Sequence, residues 1–293
     1  MQALRDWSTC CPLSGALFER CAFLQRQPRR LPFVDRDAAQ VCLRAQVDTH
    51  LIVANRDVVG RNLQGHTYTG AWGLFEQETY DDLGPGASIA ICDYNHGNPG
   101  LKGGAMLANE FIRLPIQFVS TRGPGVARWG KGHKDWMRRA YRHTITVMGP
   151  TQEMPMWEAR VQADPKVKDY WGIPVARMSG ERHPHTLEIG NRMAEKAEAW
   201  LKAAGAVQTW LRGATQGLSG GQHQAGTCRM GGDPKSSVVD RYCRVHDVPN
   251  VFVVDGSVHV TNGGFNPVLT IMAIAYWSSA YIAREWKGTG FRG

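Results

Sequence analysis

The period of hydrophobic and polar positions changes several times along the chain, and each change marks an expected element. Residues 1–47 show no period: Cys, Arg and Gln are frequent, and Pro28, Arg29, Arg30 and Pro32 interrupt every short apolar run. Asp48–Asn55 is the first stretch that reads as an element. From Thr67 to Met148 the pattern is that of strands joined by loops. Tyr68–Glu78 is aromatic and β-prone, Ala87–Tyr94 alternates like a strand half exposed on a sheet, and Gly97–Gly104 is a glycine-rich loop. Asp135–His143 reads as a short helix. Met154–Ala163, the turn Asp164-Pro165-Lys166 and the return Trp171–Val175 predict a hairpin. Leu187–Ala204 has helical period, with Met193, Ala197, Trp200, Leu201 and Ala204 on one side. Glu198 and Lys202 form a supporting pair there, and Gly205 follows as the stop.

The last quarter has a different character. Val251–Val254 is an unbroken apolar run, as expected of a strand buried on both faces in a parallel sheet. It ends in Asp255-Gly256-Ser257, small residues that let a backbone approach a ligand at the carboxyl end of a strand. Asn266-Pro267 predicts a helix start, with Asn a preferred cap and Pro tolerated in the first turn. From Leu269 to Ile282 that helix is apolar on nearly every side, so it is expected to be buried.

Composition narrows the class. A chain of 293 residues that is 43% hydrophobic and 20% charged can build a proper core, in one large domain or two ordinary ones. The net charge of +8 raises the question of nucleic acid. The basic residues, however, form two loose clusters (Arg26, Arg29, Arg30 and Lys131, Lys134, Arg138, Arg139) rather than a basic run with interleaved aromatics, so no nucleic-acid partner is expected. No run of about 20 apolar residues exists, so no membrane span is expected. Met1–Trp7 lacks the basic-then-apolar order of a signal peptide, which favours the cytoplasm. Seven scattered cysteines argue against a disulfide framework. Cys228, Cys243 and His246 lack the closed four-ligand set of a zinc site, and no metal is expected.

Several motifs in one order carry more. His223-Gln224-Ala225-Gly226-Thr227-Cys228-Arg229-Met230-Gly231, then Val251–Ser257, then Asn266-Pro267-Val268-Leu269-Thr270-Ile271, resemble the carboxyl-terminal region of the glucose–methanol–choline (GMC) family of FAD-dependent oxidoreductases. Val58–His66 resembles a motif well inside full-length members, with Gly65 standing where an acidic residue is usual. Asp164–Val175 looks like the start of the family's carboxyl-terminal domain. The resemblance implies an α/β (α+β) fold: a substrate domain with an antiparallel sheet, plus the last, incomplete part of an FAD-binding α/β domain. On that reading, residues 1–50 are unassigned, 51–150 belong to the substrate domain, and 151–286 form the carboxyl-terminal domain.

The amino-terminal strand–glycine turn–helix that holds the ADP half of FAD is not found. Gly84-Pro85-Gly86 and Gly123-Pro124-Gly125 are the nearest glycine pairs, and both read as turns. The sequence therefore reads as the carboxyl-terminal part of a longer flavoprotein with a missing amino-terminal half; a separately encoded partner supplying that half is the less favoured explanation.

The resemblance also implies roles. His223 matches the active-site histidine and Asn266 its partner. Asp255 and Gly256 would contact the ribityl-pyrophosphate region of FAD. The N–H groups of Val268 and Leu269, after Asn266 and Pro267, would face the reduced flavin. The implied reaction is oxidation of an alcohol or sugar hydroxyl, the histidine taking the proton and the flavin the hydride. Plainer roles compete: His223 as a loop histidine, Asn266 as a helix cap, Asp255 as a turn residue. Trp72, Phe75, Trp129 and Trp136 read as core before they read as pocket lining. The alternative for the whole chain is an inert fragment, or a subunit that only packs against a flavoprotein. Substrate, electron acceptor and oxygen reactivity are not legible.

Overall fold

A computed structural model describes residues 57–79, 87, 89–109, 114–218 and 223–288. The element expected at Asp48–Asn55 and the turn at Gly84-Pro85-Gly86 lie outside the described residues. The framework is a five-stranded sheet in the order β2-β3-β4-β1-β7, formed by β1 (Thr67–Leu74), β2 (Ala90–Ile91), β3 (Leu107–Asn109), β4 (Thr144–Thr151) and β7 (Gln208–Arg212), with every neighbouring pair antiparallel. A separate hairpin joins β5 (Arg160–Lys168) to β6 (Pro174–Ser179). The α-helices among the described residues are α1 (Pro115–Phe118), α2 (Gly130–Ala140), α3 (Pro184–Ala203) and α4 (Val268–Gly288). The architecture is mixed helix and antiparallel sheet.

Alternation along β1 explains how the sheet is covered. Ala71 and Phe75 point to one face, where they pack with Leu107 and Val147 against Ile189, Met193, Ala197 and Leu201 of α3. Trp72 and Leu74 point to the other face and join Trp210, Phe118 and Trp136. The expected amphipathic helix is therefore present, and Gly205 at φ +96° follows its end in the left-handed conformation a helix stop requires. Of the four aromatics that could have lined a pocket, Phe75 and Trp136 are core, Trp72 is half-buried, and Trp129 is exposed.

Three expectations about strands and turns are corrected. Asp164-Pro165-Lys166 is not the hairpin turn. Asp164 Oδ1 accepts the N–H groups of Lys166 and Val167, stabilising an irregularity within β5, and the strand runs on to a turn at Asp169–Ile173. The alternating stretch Ala87–Tyr94 contributes only the two-residue β2. Val251–Val254 is not a sheet strand: Phe252 forms a lone antiparallel bridge to Arg244, and Val254 is exposed. A strand buried on both faces needs flanking strands, and none is supplied by the described residues.

The helix after Pro267 forms but is not buried. Leu269, Met272, Tyr276 and Trp277 are 82%, 62%, 79% and 58% exposed. Its inner side is the narrow remainder, where Ile274 packs against the Val238–Val258 cluster and Ser278 donates to the Tyr242 carbonyl at 2.8 Å. No helix among the described residues is long and apolar enough to cross a membrane.

Candidate functional site

Two segments far apart in sequence meet at the end of β1. The loop before β1 and the loop after residue 222 pair through Gln64 and Ala225, whose N–H groups each donate to the other's carbonyl at 3.0 Å. Gly60 N–H donates to the Thr227 carbonyl at 2.8 Å and extends the seam. Gly226 sits at φ +88°, and a Cβ there would drive into the Asn62 carbonyl, so only glycine fits. His223 itself has φ +56°, a left-handed conformation that is unfavourable for a residue with a Cβ and has to be held by its surroundings.

Asn262 does much of that holding. It is fully buried, and its Nδ2 donates to the Gly65 carbonyl at 3.1 Å and to the His223 carbonyl at 2.7 Å. Its backbone N–H donates to Gln64 Oε1 at 3.0 Å. One side-chain amide thus ties together the two loops that carry His66 and His223. Behind it lies a buried ion pair. Glu153 Oε2 accepts the Gly65 N–H at 2.9 Å, and its Oε1 accepts Arg182 Nε–H at 2.7 Å. Arg182 Nη1 also donates to the Thr215 carbonyl at 2.7 Å.

This scaffold sets two imidazoles against each other. The Nδ1 atoms of His66 and His223 are 2.8 Å apart, and their rings meet edge to face, with centroids 4.9 Å apart at 77°. His66 Nε2 lies 2.7 Å from the Gly263 carbonyl, and the Tyr68 hydroxyl is 3.4 Å from His223 Nδ1. Tyr68 reaches this point because, in the strand alternation, it lies on the face of β1 opposite α3. Burial is the main force on His66, which is 2% exposed. Burial pushes its pKa down to about 4, the neighbouring His223 adds to the effect, and the Gly263 carbonyl opposes it. Burial also lowers the pKa of His223 and raises that of Tyr68. Both histidines are therefore neutral at pH 7.

The other residues singled out in the sequence fall around this pair. Asp255 caps a short 3₁₀ turn, Gly256–Val258, by accepting the Ser257 N–H at 2.8 Å. Gly256 is wedged so that a Cβ would meet the Gln224 carbonyl at 3.0 Å and Ile271 Cδ1 at 3.3 Å, which joins the His223 loop, the Asp255 turn and α4 at one place. Pro267 is buried, and its carbonyl accepts the Ile271 N–H at 2.9 Å. Asn266, Val268 and Leu269 are exposed at the start of α4. Among the described residues, the His223 ring meets His66 and Tyr68, and no hydrogen bond joins it to Asn266.

Cys228 and Cys243 are both buried, and burial raises the Cys243 pKa to about 11. His246 lies within hydrogen-bond distance of the Ser237 hydroxyl and the Gly231 carbonyl. No group of three or more potential metal-ligating side chains occurs among the described residues.

Sequence reasoning stopped short of His66, Tyr68, Asn262 and Glu153. His66 closes the Val58–His66 motif, so a signal was present, but nothing local connects it to a residue 157 positions later. Asn262 lies in the run Val260-Thr261-Asn262-Gly263-Gly264, which reads as an ordinary loop.

Comparison with known proteins places this arrangement in context. Residues 155–275 match the family model described as GMC oxidoreductase. The 2-methyl-1,2-propanediol dehydrogenase of Mycolicibacterium austroafricanum is 36% identical over 221 residues, covering 69% of this chain and 40% of that protein. The gluconate 2-dehydrogenase flavoprotein of Pantoea cypripedii is 28% identical, covering 80% of this chain and 40% of that protein. The crystal structure of pyridoxine 4-oxidase from Mesorbium loti superposes with a TM-score of 0.50 at 16% identity, covering 77% of this chain and 44% of that one, a likeness of fold. The chain thus spans less than half the length of the relatives it matches.

Proposed function

Residues 155–275 belong to the GMC oxidoreductases, and on that premise we propose that this chain forms part of an FAD-dependent enzyme oxidising a CH–OH group of an alcohol or sugar. In this reading His223 accepts the hydroxyl proton. The observation that carries the reading is the contact between His223 and His66, held in a strained backbone by a fully buried asparagine. A surface histidine has no need of such a scaffold. The lowered pKa of His223 keeps it unprotonated at neutral pH, as a general base requires. The relatives matched include dehydrogenases of a diol and of gluconate, which supports a hydroxyl-bearing substrate.

The fit of FAD rests on the start of α4. At the start of this 21-residue helix the side chains of Phe265, Val268 and Leu269 are exposed, and the first-turn N–H groups of a helix have no intrahelical acceptors. That donor set suits a flat ring system with negative charge at one edge. Val268 and Leu269 would hold the ring, with Asn266 and the buried Pro267 fixing the approach, and Asp255 and Gly256 would border the chain that follows it. When bound, FAD supplies the two-electron acceptor for the hydride leaving the α-carbon. The proton goes to His223, and a carbonyl forms in place of the alcohol.

A second reading is favoured by the exposed outer face of α4: an inert fragment or packing subunit that acquires function only beside an amino-terminal half. No glycine-rich strand–turn–helix for the ADP moiety occurs among the described residues. Visible absorption of the purified chain after FAD addition and desalting separates the two. Retained flavin bands support a cofactor site formed by these residues. Complete loss of flavin supports the fragment reading.

A further inference from the structure

We infer that His66 is a positioning residue that holds His223 in the tautomer bearing its proton on Nδ1, so that Nε2 is the atom available to take a proton. The inference rests on the proposed role of His223 and adds which of its nitrogens acts and what selects it.

The argument follows the protons. The Gly263 carbonyl can only accept, so at 2.7 Å the His66 Nε2 must carry a hydrogen and donate it. The alternative sets two lone pairs against each other. A neutral His66 with its proton on Nε2 has a bare lone pair on Nδ1. That lone pair faces His223 Nδ1 at 2.8 Å, a separation that requires one proton between the two nitrogens. A proton on His66 Nδ1 as well would make His66 a cation, and its buried position opposes this: the pKa is pushed to about 4. The proton therefore belongs to His223 Nδ1, which donates to His66. The Tyr68 oxygen at 3.4 Å from the same nitrogen has lone pairs and is compatible as a weak second acceptor. The relay runs from His223 Nδ1–H to His66 Nδ1, and from His66 Nε2–H to the Gly263 carbonyl.

Its geometry is maintained from both ends. Asn262 Nδ2 binds the carbonyls of Gly65 and His223, fixing the residue before one imidazole and the backbone of the other. Gly263, whose carbonyl accepts the last hydrogen bond of the relay, is the next residue in the chain. A neutral imidazole thus does for His223 what an anionic carboxylate does for the base of a hydrolase triad: it fixes the tautomer and the ring direction. Because His66 is neutral, it adds no negative charge beside the base.

The test is long-range 1H–15N correlation NMR of the histidine-labelled chain at pH 7.5, with His223 assigned from the His223→Gln spectrum. The expected wild-type pattern is a protonated Nδ1 and unprotonated Nε2 on His223. His66→Phe keeps the ring volume but offers no acceptor, and should move the His223 proton to Nε2. His66→Asn can place an amide oxygen near the former Nδ1 and should retain the wild-type pattern. A wild-type His223 protonated on Nε2 overturns the inference, as does an unchanged His223 in His66→Phe. Should the phenylalanine variant fail to fold, the wild-type and asparagine spectra still decide. The measurement needs neither flavin nor substrate. An Nδ1-protonated His223 in a protein that oxidises no alcohol would uphold the tautomer and refute the proposed function. An active enzyme with Nε2-protonated His223 would do the reverse.

Discussion

Replacing Glu153 by glutamine changes one atom of the side chain and removes one charge, yet the surroundings allow it no good orientation. The carboxylate presents two acceptor oxygens to two donors, Arg182 Nε–H at 2.7 Å and Gly65 N–H at 2.9 Å. A glutamine amide has one acceptor oxygen, so one donor must face its NH2 group. The Arg182 and Glu153 side chains are 6% and 4% exposed, so water cannot easily substitute. Removing one partner of a buried pair typically costs about 3–5 kcal/mol. Arg182 keeps its bonds to Thr215, which places the expected loss near the lower end, about 3 kcal/mol. At a urea slope of roughly 3 kcal/mol/M for a chain of this size, the unfolding midpoint should fall by about 1 M. Tryptophan fluorescence and circular dichroism in urea would read it, with Arg182→Met and the Glu153→Gln/Arg182→Met double variant completing a cycle. The double variant should be more stable than the sum of the single losses implies. A midpoint shift under about 0.3 M for Glu153→Gln, or strict additivity in the cycle, would refute the claim that this pair braces the His66 loop.

Three further outcomes are expected. The His66 pKa is depressed from 6.5 to about 4, so the unfolded chain binds the extra proton first. The corresponding stability is complete above pH 6.5 and lost as pH falls towards 4, about 3 kcal/mol at about 1.4 kcal/mol per pH unit. His66→Phe should flatten the stability–pH curve between pH 4 and 6.5, and parallel curves would contradict the assignment. Gly226→Ala should destabilise by about 2 kcal/mol or more, because both φ +88° and the Asn62 carbonyl oppose a Cβ, whereas Gly232→Ala, in open space, should stay within about 0.5 kcal/mol; equal urea midpoints would be the contrary result. Leu269→Glu and Tyr276→Lys on the outer face of α4 should change stability by less than about 1 kcal/mol while reducing self-association in sedimentation velocity. Unfolding of these variants would mean that the face is core.

What could be read from the sequence was local or periodic. The helix α3 was legible because its apolar stripe, its Glu198–Lys202 pair and Gly205 all agree. The first part of Tyr68–Glu78 was legible as a strand, which ends at Leu74, and α4 as a helix beginning near Pro267. Burial was the quantity that failed. Val251–Val254 and Leu269–Ile282 have the composition of elements enclosed on all sides, but enclosure depends on neighbours that composition does not reveal. The hairpin turn was misplaced because Asp164-Pro165 has turn chemistry wherever it occurs, including in an irregular strand. At the candidate site, His223 was singled out by its flanking motif. Its ring partners could not, because His66 and Tyr68 approach it only through the Gln64–Ala225 pairing and the Asn262 amide.

The central claim, that His223 is the base of a flavin-dependent alcohol oxidation, is tested most directly by anaerobic mixing of the FAD-supplemented chain with a panel of alcohols and sugars. The account predicts bleaching of the visible flavin band by at least one compound, slowed about 10²-fold or more in His223→Gln. Bleaching that proceeds equally fast in His223→Gln would contradict it, as would bound flavin that no alcohol or sugar reduces.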